Sequence, residues 1–170
     1  MKKLIAVALS LVLCLTAFAA LAETAVTMGE PIAFEDGLTF ALPADWAEVE
    51  LTPEAEEAGV VLQAKDAAGA RTVALSWSEI PEGYTVDQMK AEFEAAGYTE
   101  VNVGEVNGLQ IVTYTIAASD VTGFCTLGKN NDMYNFVFAP ASDAEFAPIA
   151  QAILATVAFE AAEGGEAAAE

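Results

Sequence analysis

Carboxylates, one mid-strand cysteine and a few aromatics are the side chains in this chain of 170 residues that could carry chemistry. There is no histidine, which excludes Ser-His-Asp and Cys-His nucleophiles and histidine-ligated metals. No Ser-x-x-Lys and no Cys-x-x-Cys occurs. Cys125 lies between Phe124 and Thr126. A small buried hydrophobe is expected there, since a reactive thiol needs exposure and a cationic neighbour. Gly123 to Asn130 comes within one residue of a phosphate-binding loop, with Asn130 where Ser or Thr would bind magnesium. Such a loop opens a helix, whereas this segment reads as a strand entering a turn.

The carboxylates are many but scattered. Glu54, Glu56 and Glu57 form the densest run, then Glu92 and Glu94. No Asp-x-Asp-x-Asp-Gly loop exists, so a calcium site would have to be irregular. Solvated faces are the plain reading of both runs. A glycosidase would need two carboxylates across a cleft, and the spacing indicates none. Among the aromatics, Trp77, Phe93, Phe124, Phe136 and Phe138 read as core. Trp46 follows a turn, Tyr84 sits in a loop entering a helix, and Tyr134 lies near a strand start. These three are the candidate ligand-facing residues, with packing at a sheet edge as the alternative. No catalytic residue, metal ligand or cofactor site is assigned.

The first 22 residues read as a secretory signal. Lys2-Lys3 precedes the apolar run Leu4–Phe18, and Ala20-Leu21-Ala22 fits a cleavage site before Glu23. An uncleaved anchor is the alternative. Lipidation at Cys14 is disfavoured because Leu13 occupies the position where a small residue belongs. Cleavage would leave four basic residues (Lys65, Arg71, Lys90 and Lys129) against all 26 acidic ones, a net charge of −22. Such a chain repels nucleic acid and anionic membranes. Without Cys14, Cys125 has no internal disulfide partner.

The mature chain predicts one domain over 31–160, after a flexible lead at 23–30 and before a disordered acidic tail at 161–170. Strands are expected at Pro31–Glu35, Leu38–Leu42, Glu48–Leu51, Val60–Lys65, Arg71–Glu79 and Tyr98–Val106. Three more follow at Leu109–Ala117, Gly123–Lys129 and Met133–Ala139, with a last short one at 158–160. Asn107-Gly108 is the strongest hairpin turn. Thr52–Ala58 reads as a helical turn or loop. Thr85–Ala96 is a helix with a Thr85/Gln88 capping box, Gly97 at its end, and Val86, Met89, Phe93 and Ala96 on one face. Ser142–Val157 is a second helix, capped by Ser142/Glu145 and buried through Phe146, Ile149, Ile153 and Leu154. Pro148 would kink it or delay its start to about Ala147. Leu109–Ala117 is apolar on both faces, which requires cover on both. The expected fold is α+β, a single mainly antiparallel sheet of about six to eight strands flanked by two main helices.

Three pieces carry a resemblance. They are the Gly-x-x-Phe-x-x-Pro-x-x-Trp run from Gly37 to Trp46, the Asn107-Gly108 turn into paired strands, and the last helix Phe146-Ala147-Pro148-Ile149 through Ile153-Leu154 followed by Val157-Ala158-Phe159. In that order they resemble the PsbP-like and Mog-type α/β/α sandwiches, which include small exported bacterial proteins. The resemblance spans roughly Pro31 to Glu160. It implies a non-enzymatic binding or assembly module, held extracytoplasmically or secreted, whose partner is a protein or cell-envelope component. The histidines associated with metal binding in photosynthetic members have no counterpart here. The alternatives are a small-ligand or calcium carrier and a hydrolase working with carboxylates alone.

Overall fold

The computed structural model describes residues 26–34 and 37–159. The expected signal segment 1–22, the acidic tail 161–170 and Glu160 lie outside the described residues. All strand pairs are antiparallel. The larger sheet has seven strands: β3 (Ala47–Glu48), β4 (Val60–Lys65), β5 (Thr72–Glu79), β6 (Thr99–Val106), β7 (Leu109–Ile116), β8 (Val121–Leu127) and β9 (Asp132–Ala139). Their order is β3-β4-β5-β9-β8-β7-β6. A separate three-stranded sheet places β2 (Leu38–Pro43) between β1 (Met28–Ala33) and β10 (Ala158–Phe159). The helices are α1 (Pro53–Glu57), α2 (Val86–Ala95) and α3 (Phe146–Thr156).

The apolar pattern of β7 sets the layering. Ile111 joins a core built from Phe124, Phe136 and Phe138 of the sheet, Leu38, Phe40 and Leu42 of β2, and Phe146 and Ile153 of α3. Val112 and Tyr114 face the other way, onto Val86 and Met89 of α2 and Cys125 of β8. The expected sheet is thus present, with α2 on one face and α3 together with the small sheet on the other. The separate sheet was not expected. Nearly all of β2 is buried, so it lies over the large sheet instead of extending its edge.

Local chemistry explains most boundaries. Thr85 caps α2: Gln88 N–H donates to Thr85 Oγ1 (3.3 Å), and Thr85 N–H donates to Gln88 Oε1 (2.9 Å). The helix closes with N–H bonds from Gly97 to Glu94 O and from Tyr98 to Phe93 O, the paired arrangement typical of a helix end. Asn107 and Gly108 have φ of 53° and 77°, both left-handed, as a two-residue hairpin turn of the primed type requires.

Several expectations are corrected. Met28–Glu30, placed in the flexible lead, belong to β1. The third strand is only Ala47–Glu48, ending before Leu51. Ala96 is exposed instead of sharing the apolar face of α2. The Ser142/Glu145 capping box does not form, and α3 begins at Phe146 with no side-chain cap. Ser142 is held elsewhere: its N–H and its hydroxyl donate to the Asp120 carboxylate at 2.8 and 2.7 Å. Pro148 falls in the first turn of α3, where no intrahelical N–H bond is needed, so no kink is required.

Candidate functional site

Two turns and the first part of α3 frame an open cleft of about 570 Å³, lined by Pro43, Asp45, Trp46, Asp66, Arg71 and Ile149 among others. The first turn leaves β2. Ala44 N–H donates to Thr27 O (2.9 Å) and Trp46 N–H to Pro43 O (3.0 Å), which sets Trp46 against Phe146 with ring centroids 5.8 Å apart. The second turn joins β4 to β5. Asp66 Oδ1 accepts from Ala70 N–H (2.8 Å), and Asp66 N–H donates to Arg71 O (3.1 Å). Short polar side chains commonly close turns in this way.

Arg71 is tied to the approach of α3. Its Nε donates to Asp143 Oδ2 (2.7 Å) and its Nη2 to Glu145 Oε2 (2.8 Å). The bonds to Asp143 and then Glu145 raise the pKa of the guanidinium. The Arg71 hydrogen bond, helped by Glu145 N–H at 2.9 Å, lowers that of Asp143. The cleft therefore has an apolar floor of Pro43, Trp46 and Ile149, a fixed wall at Arg71, and two carboxylates. Of these Asp45 is exposed, and Asp66 has one oxygen engaged in its own turn.

The three sequence candidates do not converge. Trp46 lines the cleft. Tyr84 packs beside α2 on the opposite face of the large sheet, its hydroxyl donating to Glu92 Oε2 at 2.6 Å. Burial, then the bond to Glu92, raises its pKa. Tyr134 is buried in the larger core against Phe159. Cys125 is buried too, and burial pushes its thiol up to about 12, so it is neutral at physiological pH and a poor nucleophile. The near-phosphate-loop segment is β8 and its exit turn. Among the described residues no three His, Cys, Asp or Glu side chains are grouped to hold a metal ion.

Trp77 corrects the sequence reading. Expected in the core with Val73 and Leu75, it is 38% exposed. It stands opposite Tyr134 in the β5–β9 ladder, and its indole N–H donates to Asp132 Oδ1 at 3.0 Å. Asp132 is itself buried, at 7%. Because Trp77 faces Tyr134 and Glu79 faces Asp132, Trp77 and Asp132 lie on one face of the sheet two rungs apart, a diagonal pair within reach of a long side chain. Taking β9 to begin at Met133 hid this.

The fold has known counterparts. The cyanobacterial PsbP (CyanoP) of Synechocystis sp. PCC 6803 superposes with a TM-score of 0.54 at 14% identity, over 82% of this chain and 96% of that one. A structure from Bacteroides thetaiotaomicron VPI-5482 gives a TM-score of 0.53 at 14% identity over 79% of this chain, which spans about half of that one, 49%. Neither a protein-family model nor a curated protein matches the sequence. The chain has a PsbP-like fold. The Mog-type part of the resemblance draws no support from these two structures.

Proposed function

We propose that the protein is an exported, non-enzymatic binding or assembly module that contacts a protein or cell-envelope component through the cleft around Trp46. The observation that carries this reading is the way the cleft is built. Its walls are groups already committed elsewhere: the Arg71 guanidinium to the Asp143 and Glu145 carboxylates, the Asp66 carboxylate to the Ala70 backbone N–H, and the Trp46 ring to Phe146. What is left is a fixed recess with an apolar floor and an exposed carboxylate at Asp45. A pre-shaped surface of that kind suits recognition, because little ordering is needed on contact. The PsbP-like fold is compatible with the reading but does not assign a function. The signal pattern at 1–22 supplies the export.

The test is a crosslinking pull-down from the producing cell's envelope and medium with the tagged chain from Glu23 onward. A saturable partner is expected, reduced about tenfold or more by Trp46→Ala and by the surface change Asp45→Lys, each checked for an unchanged fold. Capture that ignores both variants would remove the cleft from the proposal, and no capture above a charge-scrambled control would remove the binding module. The cleft volume also falls in the range of small-ligand sites, roughly 300–1,000 Å³. A carrier role would appear as a ligand-dependent rise in melting temperature that Trp46→Ala abolishes.

A further inference from the structure

The seven-stranded sheet ends on one side in β3, two residues long, and on the other in β6, eight residues long. Among the described residues no strand pairs with the outer side of β6. The turn at Asn107-Gly108 fixes which backbone groups face outward. A two-residue primed turn makes its flanking residues, Val106 and Leu109, a mutually hydrogen-bonded pair. Alternation then makes Gly104/Ile111 and Asn102/Thr113 bonded pairs as well. The N–H and C=O groups of Val103 and Glu105 consequently point away from β7.

Sheet edges are usually blunted by Pro, Lys, inward charges or bulges. The start of β6 is blunted: the register shifts between Thr99 and Asn102, and Glu100 has a left-handed φ of 53°. Asn102 Nδ2 donates to Glu100 O (2.8 Å) and Thr115 Oγ1 to Glu100 Oε2 (2.9 Å), which pins the bulge. From Asn102 to Val106 there is no Pro and no Lys, and Val103 is 40% exposed.

We propose that this edge of β6 takes an extended, basic segment of a partner protein as an added strand. Charge chooses the occupant. Glu105 is exposed on the edge, and α2, which packs on β6, exposes Asp87 and Glu92 together with Glu94, whose charge Lys90 offsets, so the surface beside the edge stays net negative. A second copy of this chain would bring like charges together across the new pair, which destabilises it. A basic strand meets complementary charge and is steered toward it. The inference does not depend on the Trp46 cleft, which lies at the β4–β5 end of the sheet.

The probe is a fluorescent peptide of alternating Lys and Val, read by anisotropy at physiological salt against the same peptide N-methylated at every backbone amide, which leaves neither of its edges able to donate to a strand. The charge is identical, so only strand pairing differs. The plain peptide should bind about tenfold tighter or better, and amide exchange should slow at Val103 and Glu105. Val103→Pro removes an outward N–H without touching a β6–β7 bond and should cancel the difference between the peptides. Glu105→Lys, a surface change, should weaken binding about tenfold, whereas Trp46→Ala should leave it unchanged. Equal affinity for the two peptides would reduce the effect to bulk charge and overturn the proposal. So would slowed exchange at other strands, or a concentration-dependent dimer that Val103→Pro dissolves.

Discussion

The two faces of the large sheet are held in different ways. On one, Phe136 lies 4.5 Å from Phe124 in a stacked pair and 5.0 Å from Phe40 edge-on, while Phe138 meets Phe146 at 5.7 Å. That face is a matter of apolar volume, shared among the sheet, β2 and α3. On the other, α2 covers a smaller cluster in which Phe93, Tyr98 and Tyr114 meet at 5.0–5.3 Å. There a polar contact is built in. Tyr114 lies across Gly123 and its hydroxyl donates to Asn135 Oδ1 at 2.7 Å. One strand, β7, thus serves a core governed by area on one face and a core governed by fit on the other.

The largest effect expected is on the volume-governed face. Phe136→Ala should cost about 4 kcal/mol, the transfer and cavity terms of a fully buried aromatic. Met89→Ala, equally buried but in the smaller cluster, should cost about 2–3 kcal/mol. Urea denaturation at constant m-value measures both. Equal losses would erase the ranking of the two faces.

The fit-governed face is tested at Gly123. A Cβ there would lie 2.6 Å from Phe136 O and 2.6 Å from Tyr114 Oη, closer than side chains tolerate. Gly123→Ala should therefore cost about 3 kcal/mol through overpacking. Tyr114→Phe should cost about 1 kcal/mol, the hydroxyl bond alone. In a double-mutant cycle the two should be far from additive, because displacing the ring already breaks the bond to Asn135. Additive losses would mean that Gly123 serves the backbone and not the tyrosine.

This contrast also explains what the sequence made legible. Alternation in Val73 and Leu75, the two-faced pattern of β7 and the Asn107-Gly108 turn express burial and backbone geometry, which leave a local imprint. The capping box at Thr85 is equally local, spanning three residues. Gly123 could be read only as a strand residue, because its role is set by Tyr114 and Asn135 on neighbouring strands. Ser142 looked like a cap for the same reason: Asp120, 22 residues earlier, is invisible to local pattern. The cleft was partly legible through Trp46. Its other wall was not, since Arg71 and Asp143 are 72 residues apart and nothing in either neighbourhood announces the pair.

That long-range pair supplies the smallest effect and a pH test. It joins the start of β5 to the approach of α3, so it fastens the cover of the volume-governed face from outside without adding to its core. The folded pKa of Asp143 is lowered, chiefly by the Arg71 hydrogen bond. A depressed carboxylate stabilises the fold above its unfolded pKa of about 3.9 and loses that contribution as pH falls through the folded value. The melting temperature should hold steady from neutral pH to about 5 and then fall below about 4. Asp143→Asn should flatten that acid limb while shifting the neutral value only slightly, because the pair is partly exposed and screened. Glu145→Gln should change less still, its side chain being 84% exposed. If both variants track the parent chain across the whole range, the Arg71 wall of the cleft is set by turn geometry and packing alone. Salt would discriminate in the same direction: about 0.5 M should reproduce the Asp143→Asn profile in the parent chain if the pairing is electrostatic.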